Sequence, residues 1–124
     1  MQATLLQLAA ILMFLLGLAH SVLGERYILV RLFRREGLPK LFGGTAFTTR
    51  TLRFAWHITT VLWWGFAALL WQVATGSITP ADVLTVIACT SIVAGLLPLV
   101  ITRGRHLSWL VLFVVGGIAL WYAS

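Results

Sequence analysis

Carboxylates are the scarcest chemistry in this chain: Glu25, Glu36 and Asp82 are the only three in 124 residues. Charged residues make up 10 per cent, against about 25 per cent in an ordinary soluble domain. Cysteine occurs once, at Cys89 inside an apolar run, which excludes an intrachain disulfide and any two-cysteine metal motif. Proline occurs three times and methionine twice, so a soft Met-rich copper(I) path has nothing to use. There is no H-E-x-x-H, no G-x-S-x-G and no phosphate-binding glycine loop. Hydrolysis and phosphoryl transfer are left without machinery, and the chain does not read as an enzyme.

What fills the space is hydrocarbon. Sixty per cent of the residues are hydrophobic and the mean hydropathy is +1.00, the composition of an integral membrane protein with a single domain over residues 1–124. A helix needs roughly 20 apolar residues to cross a hydrocarbon core about 30 Å thick. Four segments qualify, at residues 3–24, 52–74, 81–101 and 107–123, the last at the lower limit. No alternating strand pattern is present, so the expected fold is an all-α, four-transmembrane-helix antiparallel bundle. The opening MQATLLQLAA lacks the positive region of a signal peptide, and the first span is expected to remain as a membrane helix.

The net charge of +6 is read against that background as a topology signal, not as a nucleic-acid footprint. Arg26, Arg31, Arg34, Arg35, Lys40, Arg50 and Arg53 border or occupy the first loop, and Arg103 and Arg105 form the third. The termini and the second loop carry no Lys or Arg. The positive-inside rule therefore puts both basic loops in the cytoplasm and the termini in the periplasm of a bacterial inner membrane. Residues 25–50 mix these cations with Tyr27, Leu32, Phe33, Leu41, Phe42 and Phe47, the composition of an amphipathic helix-loop on the inner leaflet. Arg26, Arg31, Arg34, Arg35, Lys40, Arg50, Arg103 and Arg105 are expected to contact anionic headgroups.

That topology lifts every histidine to one end. His20 near the end of the first span, His57 near the start of the second and His106 at the start of the fourth join Glu25 on the basic side. At about 1.5 Å per residue, His20 lies about 9 Å below the flanking arginines, His57 about 6 Å and His106 about 1.5 Å. Imidazole and carboxylate suit a divalent transition metal of zinc or iron type, so His20, His57, His106 and Glu25 form a candidate metal set. The same groups suit a proton relay or a cationic solute, and two membrane histidines could hold a haem iron. Two angular facts cut across the metal set. His20 and Glu25 are five residues apart, about 140° around a helix, whereas Ser21 and Glu25 share a face. On the second span Arg53, His57 and Thr60 line one side, and Arg53 can pair with Glu25 and make the carboxylate structural.

In length and number of spans the chain resembles small multidrug transporters and fluoride channels. The multidrug family relies on a membrane-embedded acid in its first span, where this chain has none deeper than Glu25. The expected function is a His/Glu site for a metal, proton or cationic solute. The competing expectation is an accessory subunit whose Trp- and Gly-rich faces pack against its own copies or a larger membrane complex.

Overall fold

We describe the fold from a computed structural model covering residues 1–124. The chain is all-helical: α1 spans Gln2–Leu32, α2 Ala46–Thr75, α3 Pro80–Ile101 and α4 Ser108–Ala123. Three of these, α1, α2 and α3, are long and apolar enough to cross a membrane. The fourth has 16 residues, about 24 Å of helix, short of a full hydrocarbon core.

Local sequence explains the boundaries. Leu and Ala dominate α1 and no proline interrupts it, so it runs on past the first cations to Leu32. Its last part, Gly24–Leu29, loosens into π-helical winding, a rare geometry that recurs at functional sites. Thr79 caps α3 through a reciprocal capping box with Asp82, and Pro80 takes the first helical position. The link from α3 to α4 is closed by Arg103 and Gly104, both at positive φ, which ends one helix and reverses the chain within a few residues.

The start of α2 lies ahead of Thr48, Thr49 and Thr51, hydroxyls of the kind that favour an N-cap. The helix begins at Ala46, and Thr48, Thr49 and Thr51 do not cap it. Thr48 Oγ1 donates instead to the Pro39 carbonyl at 2.8 Å, and Thr49 Oγ1 to Ala46 O at 3.1 Å. Three hydroxyls within four residues cannot all occupy one cap, and the helix takes in the whole group.

Packing is sequential. The α1 helix lies on α2, α2 on α3 and α3 on α4, with no direct α1–α3 or α1–α4 packing. The helices form an open row, not the closed bundle that four short-linked spans suggest. Each seam is made by a glycine that admits a larger side chain. Gly17 and Gly24 lie under the indoles of Trp64 and Trp56, Gly65 faces Thr90, Gly95 faces Phe113, and Gly116 faces Ile92. Gly117 faces open space.

Candidate functional site

The helix pair α1–α2 is stitched by side chains of α2 that donate to main-chain carbonyls of α1. Trp56 Nε1 donates to His20 O at 2.9 Å, Thr60 Oγ1 to Gly17 O at 3.0 Å, and Trp64 Nε1 to Phe14 O at 3.1 Å. The donors recur every four residues and the acceptors every three, so each turn of α2 meets the next turn of an antiparallel α1. Gly17 and Gly24 are what allow the indoles so near the backbone. A Cβ at Gly17 would lie 2.8 Å from Trp64 Nε1, and one at Gly24 would overlap the Trp56 ring.

On this scaffold sits a polar chain. Arg53 grips Glu25 with two nitrogens, Nη2 to Oε1 at 2.9 Å and Nε to Oε2 at 3.2 Å, a two-point pairing that fixes geometry as well as charge. His57 Nε2 lies 3.0 Å from Glu25 Oε2, and its Nδ1 lies 2.8 Å from Ser21 Oγ. Ser21 Oγ is 2.7 Å from Thr60 Oγ1, which donates to Gly17 O. The result runs unbroken from the basic rim inward: Arg53, Glu25, His57, Ser21, Thr60, Gly17 carbonyl. The outer pair is half open, with the Arg53 and Glu25 side chains 39% and 34% exposed. Thr60 is buried. The Arg53 guanidinium also lies over the Phe33 ring, 5.0 Å from its centroid.

The structure therefore brings Glu25, His57, Ser21, Arg53 and Thr60 together, and leaves His20 and His106 elsewhere. The His20 ring stacks on Trp56 with centroids 4.4 Å apart and planes at 3°, meets Trp63 edge-on, and donates from Nε2 to Trp56 O at 3.2 Å. Five residues from Glu25 along α1, it points into an aromatic slot. His106 lies in the α3–α4 link, where its ring meets Phe47 and Phe54 of α2 and its Nδ1 lies 2.9 Å from Ser108 Oγ. Phe54 follows Arg53 by one residue, about 100° around the helix, so His106 reaches α2 on a different face from Glu25. No three His, Cys, Asp or Glu side chains converge in a way that could hold a metal ion. The four-ligand set of His20, His57, His106 and Glu25 is not assembled: placement at one end of the helices did not bring a common facing. Haem ligation by His20 and His57 meets the same obstacle, since both rings are engaged by protein partners.

Of the cations expected at headgroups, Arg26 and Arg31 lie over Tyr27, 5.5 Å and 5.8 Å from its ring centroid. Arg53 is the one Lys or Arg in an ion pair. Trp56, Trp64 and Gly24 are neighbours of the site that the sequence motifs did not single out. The signal was present as Trp56, Thr60 and Trp64 at spacings of four, opposite Gly17 and Gly24 at a spacing of seven.

Hydrogen-bond arithmetic decides what the chain can do. The Thr60 hydroxyl proton goes to Gly17 O, because a carbonyl can only accept. Ser21 must then donate to Thr60, and its oxygen is left to accept from His57 Nδ1. On the other side an ionised Glu25, held by Arg53, can only accept from His57 Nε2. All four links are made when both ring nitrogens carry hydrogen. A neutral His57 beside an ionised Glu25 leaves one of the four without a proton.

Compared with protein-family models, with curated proteins and with solved structures, the chain matches none.

Proposed function

We propose that this is a small polytopic inner-membrane protein whose α1–α2 pair takes up and relays a proton at a His57-centred site, in sensing or in proton-coupled movement of a solute. The observation that carries the reading is the unbroken chain Glu25–His57–Ser21–Thr60, which is complete with one proton more than neutral imidazole and ionised carboxylate supply. Imidazole is the side chain suited to gain and lose a proton under physiological conditions. Ionisable groups set among membrane helices are by default functional candidates.

The positive-inside pattern supports a cytoplasmic opening at Arg53 and Glu25, with both termini periplasmic. Inward, the chain stops at the Gly17 carbonyl, and the next turn is closed by Trp64 stacked on Phe14 at 5.1 Å. A one-sided chain suits uptake and coupling better than a continuous proton channel. A divalent metal would find only the His57–Glu25 pair, with the carboxylate already held by Arg53. Anionic headgroups at the basic loops, and further copies or a larger complex against the exposed apolar faces, are the partners this reading includes.

Infrared difference spectra of the protein in bilayers, recorded between acid and alkaline buffer, test the proposal. Wild type minus His57→Asn is expected to show an imidazole band whose amplitude changes in Ser21→Ala. Identical spectra for wild type and His57→Asn would overturn it.

A second reading is favoured by the two-point Arg53–Glu25 pair. In it the cluster is a lock between α1 and α2 in an accessory subunit, and His57 serves only to satisfy Glu25. His57→Asn and Ser21→Ala would then alter stability but leave no site-specific protonation signal to lose.

A further inference from the structure

The connection between α1 and α2 contains a feature that the proton site does not use. Leu41 and Gly44 close a two-residue turn, with Leu41 N donating to Gly44 O at 2.9 Å and Gly44 N to Leu41 O at 3.3 Å. The two residues between them, Phe42 and Gly43, have φ of 55° and 87°. Positive φ at both centres is the tight-hairpin geometry that Asn-Gly or Gly-Gly fills without strain. A bulky aromatic in that position is an outlier, and outliers of this kind persist where something outside the turn repays them. No such repayment comes from the fold. Phe42 is 83% exposed, and its one aromatic contact is an edge-on approach to Phe47 at 5.1 Å. Leu41 beside it is 48% exposed.

The surroundings identify the missing contact. Lys40 precedes the turn, and Arg34 and Arg35 follow the end of α1; all three are exposed and none is in an ion pair. Glu36 is the only acid in the connection. The Thr48 hydroxyl holds Pro39 to the first turn of α2, so the loop is tied at the basic end of the helices, the end that the cation pattern assigns to the headgroups. An aromatic apex with an aliphatic shoulder and a basic collar is complementary to an anionic bilayer surface, apolar tip below the headgroups and cations among their phosphates.

We infer that the Leu41–Gly44 turn is a membrane anchor that inserts Phe42 into the leaflet on the basic side, with Lys40, Arg34 and Arg35 bound to anionic lipid phosphates. The anchor acts independently of the proton site and fixes where the end of α1 sits relative to the bilayer.

The test uses the full chain in a Cys89→Ser background, with an environment-sensitive fluorophore on Phe42→Cys, in nanodiscs of phosphatidylcholine with and without phosphatidylglycerol. A label on Glu36→Cys serves as the aqueous reference. The expected result is blue-shifted emission at position 42, quenched by lipids with a spin label high on the acyl chain and protected from aqueous iodide, the more so with phosphatidylglycerol. Iodide quenching equal to the reference would put the tip in water and overturn the inference. Protection from iodide without quenching by spin-labelled lipid would mean that protein covers the tip, and would overturn it equally. An unlabelled Phe42→Asn variant, whose side chain suits the turn, should expose the loop and speed tryptic cleavage at Lys40 several-fold in the anionic nanodiscs. Cleavage at the wild-type rate would contradict the anchor.

Discussion

The two outer seams of the helix row are built from different chemistry. Between α1 and α2, eight side-chain hydrogen bonds cross, the one from Arg53 to Glu25 reinforced as an ion pair, and the donors and acceptors follow one another down the helices. Between α3 and α4 the contact is glycine against side chain: Gly95 under Phe113 and Gly116 under Ile92. In lipid both kinds hold helices together, since van der Waals packing and interhelical hydrogen bonds replace the hydrophobic drive. They differ in what a proton can do to them. A seam of methyl groups is indifferent to protonation, whereas a seam that counts hydrogens is not. The chemistry of this chain is therefore concentrated in its first half, and α3–α4 reads as the apolar support.

Substitutions that enlarge glycine should break the polar seam hardest. Gly24→Val would drive its side chain into the Trp56 indole, and overpacking of this kind costs about 1–3 kcal/mol or more. We expect loss of the α1–α2 contact, read by cysteine cross-linking between the helices. Gly116→Val on the other seam meets Ile92 Cγ1 at 2.7 Å and the Ala88 carbonyl at 3.1 Å from the new Cβ. It should destabilise by a similar amount while leaving the His57 protonation signal in place. Gly117→Val faces open space and should change stability by less than about 0.5 kcal/mol.

Removing charge comes next in size. Glu25→Gln strands Arg53 and weakens the bond to His57, but the pair is more than one third exposed on each side. The cost should be nearer about 1–2 kcal/mol than the 3–5 typical of breaking a buried pair. Unfolding in mixed micelles at low and high salt should show the loss shrinking with salt, since partly exposed ion pairs are screened. Within the polar seam the smallest effect belongs to Trp64→Phe, which keeps the ring stacked on Phe14 and removes one hydrogen bond to its carbonyl. A cost of about 0.6 kcal/mol is expected by analogy with measured interhelical bonds in membranes. A much larger cost would mean that the carbonyl ladder, not the ion pair, holds the seam.

Much of this arrangement is legible in the sequence. Ser21 and Glu25 share a face by spacing, Arg53, His57 and Thr60 share another, and opposite charge on Arg53 and Glu25 pairs the two. Apolar length gave α1, α2 and α3. Height along the helix pair was legible too: His20 and His57 meet the same stretch of the α1–α2 seam. Facing was not. His20 shares the level of His57 but turns toward Trp56 and Trp63, a choice made by stacking and by the Trp56 carbonyl. His106 was drawn away by a tight turn whose positive φ at Arg103 no composition rule announces. The open row escaped the sequence for a related reason. Short links dictate that neighbours touch, but whether α4 returns to α1 depends on crossing geometry set by Gly65, Gly95 and Gly116 against their partners. The turn at Phe42 is visible in the sequence only as part of an interfacial segment, since nothing in KLFGGT tells that the phenylalanine takes the left-handed position.

The central claim is that His57 and the two hydroxyls share one proton network. Solid-state ¹⁵N and ¹³C NMR of the protein in lipid bilayers, with His57 followed through its titration, tests it most directly. The protonated form is expected to carry hydrogen on both ring nitrogens, with the Ser21 and Thr60 signals moving with the same midpoint. A His57 that titrates while Ser21 and Thr60 stay fixed would contradict it.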